Sequence, residues 1–74
     1  MSKFTHVVVT SETPIYGGGP QGGEPPLAFL EAGTKVAFLE DSGITGYWRV
    51  RTEEGIVGDI AADSLRRLRG RRGS

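Results

Sequence analysis

The sequence predicts a small all-β domain, on three observations. Twelve glycines and four prolines in 74 residues interrupt the chain too often for a helical bundle. Apolar and polar side chains alternate over short stretches, which is the period of a strand. Clusters of turn-forming residues separate those stretches. With 36% hydrophobic residues the chain can fill a single core and no more. Five short strands, each burying one side, favour a closed barrel because closure leaves no open sheet edge.

The first strand is expected over residues 4–10, with Val7 and Val9 on the core side. Residues 17–26, Gly-Gly-Gly-Pro-Gln-Gly-Gly-Glu-Pro-Pro, suit neither helix nor strand: glycine loses much entropy on ordering and proline lacks a donor. They predict a long, mobile loop after the first strand. Apolar character returns over residues 27–30, Glu31-Ala32-Gly33 turns the chain, and residues 34–40 alternate with Val36 and Phe38 on one side. After a turn at residues 41–46, the segment Tyr47-Trp48-Arg49-Val50-Arg51-Thr52 places Trp48, Val50 and Thr52 opposite Tyr47, Arg49 and Arg51. Glu53-Glu54-Gly55 is a tight hairpin turn and residues 56–60 return as a strand. Ala61-Ala62-Asp63-Ser64 suits one short 3-10 turn before a last strand at residues 65–68. The expected core is Leu27, Phe29, Val36, Phe38, Val50, Ile60 and Leu65, and Gly58 marks a close backbone approach.

The absence of cysteine excludes disulfides and thiolate metal sites, and fits a reducing compartment. Three consecutive valines near the N-terminus are too few for a signal-peptide core or a membrane span. The expectation is a cytoplasmic protein with no membrane association.

The formal net charge of zero hides a division. Up to Leu65 the cations are Lys3, Lys35, Arg49 and Arg51, against nine acidic residues; Arg66, Arg67, Arg69, Arg71 and Arg72 follow. This predicts an acidic barrel over residues 1–68 and a basic, disordered tail over 69–74.

The strand order and several segments resemble the Src-homology-3-like (SH3-like) small barrel, particularly its bacterial branch. The segments are Ala32-Gly33-Thr34-Lys35-Val36-Ala37-Phe38-Leu39, Gly46-Tyr47-Trp48-Arg49-Val50-Arg51, Gly55-Ile56-Val57-Gly58-Asp59-Ile60, and the ending Ala61-Ala62-Asp63-Ser64-Leu65-Arg66-Arg67-Leu68. The resemblance spans residues 7–68. It implies a five-stranded SH3-like barrel that works by binding. Proline-peptide recognition in that family uses a groove proline and a groove tyrosine; here their places fall on Ala61 and Ser64. Cell-wall-binding members often carry a tryptophan where this chain has Asp59.

No catalytic or metal constellation stands out. His6 is the single histidine; Glu40-Asp41 and Glu53-Glu54 fall in expected turns; no ligand spacing for zinc or calcium is present, and no cofactor is implied. The glycines of residues 17–23 are not followed by the lysine and helix of a phosphate loop.

The expectation is a non-enzymatic protein-docking module or adaptor whose binding residues include Tyr16, Tyr47, Trp48, Arg49 and Asp59, with self-association as a further use of an exposed strand. The alternatives are nucleic-acid binding through Arg66, Arg67, Arg69, Arg71 and Arg72, and cell-wall peptide binding.

Overall fold

The computed structural model describes residues 4–18 and 23–68. Among the described residues the regular structure is seven strands and one 3-10 turn: β1 (His6–Val8), β2 (Thr13–Ile15), β3 (Ala28–Leu30), β4 (Lys35–Asp41), β5 (Tyr47–Thr52), β6 (Val57–Ala61), the turn Ala62–Ser64 and β7 (Leu65–Arg67). The domain is all-β, as the sequence predicts. The basic segment 69–74 lies outside the described residues.

Closure differs from expectation. Five strands form one antiparallel sheet in the order β6-β5-β4-β1-β7, while β2 and β3 form a separate two-stranded sheet, and the two do not close into a barrel. They are joined at one residue pair, Tyr16 and Asp59. The Tyr16 N–H donates to the Asp59 carbonyl at 2.9 Å, and the Asp59 N–H donates to the Tyr16 carbonyl at 2.6 Å.

β2 has no counterpart in the sequence reading. Pro14 at its centre offers no N–H, yet a three-residue strand at a sheet edge accommodates it. Before it, Glu12 takes a left-handed conformation (φ 54°), and the Thr13 hydroxyl donates to the Thr10 carbonyl at 2.8 Å to brace the turn. β3 pairs Phe29 with Pro14 and Ala28 with Ile15. Ile15 is fully buried.

Val8, Ile15, Leu30, Val36, Val50 and Ile60 form the core, with Ala28, Trp48, Ile56 and Leu65 packed on it. Val36, Val50, Ile60 and Leu65 thus lie where the sequence places them. Val7 and Val9 do not: Val8 is the buried residue and Val9 is 41% exposed. In a run of three valines alternation gives no phase, and pairing decides it, because a one-residue slip inverts every side chain. The Val8 N–H donates to the Thr34 carbonyl at 2.8 Å and the Gly33 N–H to the Val8 carbonyl at 2.7 Å. Leu27, Phe29 and Phe38, also expected in the core, are exposed. Leu27 and Phe29 lie outside because β3 turns Ala28 and Leu30 inward. Phe38 sits on the core side of β4 opposite Val50, where it packs edge-on against the half-buried Trp48 at 5.1 Å and stays open to solvent on its other side.

Gly58 meets its expectation. A Cβ built there would lie 2.6 Å from the Tyr16 carbonyl oxygen and 2.9 Å from Ile15 Cγ1. Backbone cannot give way as a flexible side chain can, so Gly58→Ala is expected to destabilise the chain by about 1–3 kcal/mol. Urea unfolding followed by tryptophan fluorescence checks this, and an unchanged midpoint would show that the two sheets do not depend on this approach.

Candidate functional site

β5 carries the candidate site because its neighbours on both sides are paired over its length. Arg49 lies opposite Glu40 of β4 and opposite Asp59 of β6. Asp59 in turn bridges to Tyr16. Directly opposed residues of antiparallel strands share a side, so Tyr16, Asp59, Arg49 and Glu40 form a row across the outer side of the molecule. Tyr47, two residues before Arg49, shares that side.

The row is held by charge. Arg49 Nε donates to Asp59 Oδ1 at 3.2 Å and Arg49 Nη1 donates to Glu40 Oε2 at 3.1 Å. The side chains of Arg49, Asp59 and Glu40 are 36%, 2% and 61% exposed. The Asp59 contact is a sheltered, charge-assisted bond; the Glu40 contact is an exposed pair of small worth.

The structure therefore sorts the five expected binding residues. Tyr16, Tyr47 and Arg49 come together on the outer side and are half-buried. Asp59 shares that side but is buried, so it orients Arg49 and offers no contact surface of its own. Trp48 faces the other way and packs against the core. Its ring meets Phe38 edge-on at 5.1 Å and His6 at 5.3 Å. Of the arginines weighed for nucleic acid, Arg66 and Arg67 are exposed on β7, while Arg69, Arg71 and Arg72 fall outside the described residues.

Two features escaped the sequence reading. Alternation alone does not place Glu40 beside Arg49: β4 extends to Asp41 across a bulge between Phe38 and Glu40, and the bulge brings Glu40 opposite Arg49. The second is the sorting of charge. Glu12, Glu31, Glu53 and Glu54 occupy connections and Asp63 the 3-10 turn, whereas Lys35, Arg49, Arg51 and Arg66 all project from the outer side of the five-stranded sheet. The domain is not uniformly acidic.

His6 shares a 2.8 Å hydrogen bond between its Nδ1 and the Thr5 hydroxyl. Burial, and then the positive charge of Arg67 opposite it, hold its pKa below the ordinary 6.5. No group of three or more metal-ligating side chains occurs among the described residues, and no helix there is long and apolar enough to cross a membrane.

Comparison with family models, with curated proteins and with solved structures gave no match. Function must then be read from the geometry of the chain itself.

Two outcomes follow from this geometry. Arg49→Ala leaves a buried carboxylate without its cation and is expected to cost about 1–3 kcal/mol; adding Asp59→Asn should recover part of that loss, as a double-mutant cycle in urea would read. If the two losses simply add, the pair does not couple. For His6, the folded chain binds fewer protons than the unfolded chain between the depressed pKa and 6.5. Stability is therefore fully present above 6.5 and is lost as pH falls through the folded value. Melting temperatures recorded from pH 7.5 to pH 5.5 should fall, and His6→Gln should flatten that slope.

Proposed function

We propose that this chain is a non-enzymatic protein-interaction module, a docking subunit or adaptor related to the SH3-like domains though its sheets stay unclosed, that engages its partner through the outer side of β5 and the end of β2. One observation carries this reading: Arg49 is fixed between Asp59 and Glu40, with Tyr16 and Tyr47 on the same side. Arginine and tyrosine are enriched among the residues that dominate binding energy at interfaces. An arginine already held in place loses less freedom on binding than a free one. The 3-10 turn directly before the last strand supports the SH3-like assignment. A proline-peptide groove has less support, since Ala61 and Ser64 supply only small side chains at the groove positions.

Nucleic-acid binding is the second reading, favoured by the exposure of Arg66 and Arg67 on an edge strand. The two readings separate by affinity capture with the full chain, a chain ending at Leu68, and Tyr47→Ala. A docking module retains its protein partner without residues 69–74 and loses about tenfold or more of its affinity on Tyr47→Ala. Retention of nucleic acid that vanishes with the tail, weakens steeply with salt and ignores Tyr47→Ala would reject docking in favour of the second reading.

A further inference from the structure

We propose that this chain self-associates head to tail: strand β7 of one copy adds to the free edge of β3 of the next, where its arginines meet an acidic groove. This goes beyond the docking reading, because neither edge includes Tyr47 or Arg49.

Incomplete closure supplies the two edges, since a closed barrel has none. Here β7 ends the five-stranded sheet and β3 ends the two-stranded one. Among the described residues each pairs on one side only, β7 with β1 and β3 with β2. On β7 the hydrogen bonds show which backbone groups are left over. The Val9 N–H donates to the Ser64 carbonyl and the Leu68 N–H donates to the Thr5 carbonyl, so even-numbered positions turn toward β1. The N–H and carbonyl of Arg67 then point away from β1, because hydrogen-bonding direction alternates along a strand. An edge of this kind is a template for another strand.

Charge decides which edges can meet. Arg66 and Arg67 are exposed, and neither forms an ion pair among the described residues. β3 and the turn after β5 line one groove, the first with Phe29, Leu30 and Glu31 and the second with Glu53 and Glu54. The three carboxylates are exposed, and they too form no ion pair among the described residues. Pairing β7 with β7 sets arginine against arginine, pairing β3 with β3 brings two acidic grooves together, and like charges across a strand pair are destabilising. β7 on β3 is the combination that sets cations against acids. Phe29 is 61% exposed, and a guanidinium over its ring adds a cation–π contact. The groove holds about 190 Å³, less than the roughly 300–1,000 Å³ of small-molecule sites. It suits the side chains of an added strand. The two surfaces that meet are different, so each copy keeps one of them free and the association extends beyond pairs. Strands of three residues bury little area, and the association is accordingly weak in dilute solution.

Sedimentation velocity of the full chain, from micromolar to millimolar, reads this association. In low salt the average mass should rise above that of one chain with concentration, and fall back when salt is added. Glu53→Gln with Glu54→Gln, and separately Arg66→Gln with Arg67→Gln, should each weaken association by about tenfold. All four sites are exposed, and circular dichroism confirms that the variants fold. Mixing the two variants should restore association but stop it at pairs, because each then offers one intact surface. Indifference to either double substitution, a mixture no stronger than its components, or a single-chain mass at every concentration would overturn the proposal. A chain ending at Leu68 and Tyr47→Ala should both self-associate as the full chain does. Loss in either one also overturns it, because the contact would then lie in residues 69–74 or on the docking surface. Partner capture that fails while self-association persists counts against the docking reading alone.

Discussion

The two backbone hydrogen bonds between Tyr16 and Asp59 are the contact on which both core and surface depend. They are the pairing that ties the two-stranded sheet to the edge of the five-stranded one. Their short length requires Gly58, since any side chain there would enter the space of the Tyr16 carbonyl. On the inner side, this approach delivers Ile15 to the cluster of Val50 and Ile60. On the outer side, it sets Tyr16 beside the residue that anchors Arg49. A domain this small has little core to spare, and one local contact sets both the packing of Ile15 and the row of side chains on the outer side.

The legible parts of the fold were those in which one local rule acts alone. Alternation located β5 and assigned Val50 and Thr52 to one side and Arg51 to the other, and the small residues before Leu65 located the 3-10 turn. A glycine inside an apolar strand located the close approach at Gly58. The illegible parts were those decided by pairing between distant segments. Three valines in a row carry no phase, so the register of β1 against Lys35 and Val36 chose which was buried. Thr13-Pro14-Ile15 is too short and too proline-marked to read as a strand until β3 pairs with it. Leu27 and Phe29 alternate as core residues do, and only that pairing shows Ala28 and Leu30 turned inward. At the site, Tyr47 and Arg49 were legible from exposure within an alternating strand. The burial of Asp59 and the role of Glu40 arise from cross-strand geometry and a bulge, for which no local signal exists.

Asp59 shows why burial of a charge is better explained by orientation than by stability. Removing a carboxylate from water is costly, and a paired buried charge is often no more stabilising than an apolar residue of like size. The guanidinium gains a fixed direction from it. Arg49 is bound at Nε by a residue that cannot move, while Nη1 points to a carboxylate that is mostly in solvent. The arrangement fixes one end of the fork and leaves the other open to exchange, which suits recognition of a planar acceptor.

Charge sorting extends the same logic to the whole surface. Along the chain, acids and bases look segregated into domain and tail, but the sheet resorts them in space. Outward strand positions carry Lys35, Arg51 and Arg66, whose long stems can cover apolar sheet while their heads stay hydrated. The carboxylates Glu12, Glu31, Glu53 and Glu54 gather in the connections, where short polar residues support turns. Residues 1–68 carry six cations against nine acids, so the cationic side is a local field on a domain of net negative charge, and such a field orients an approaching molecule at short range.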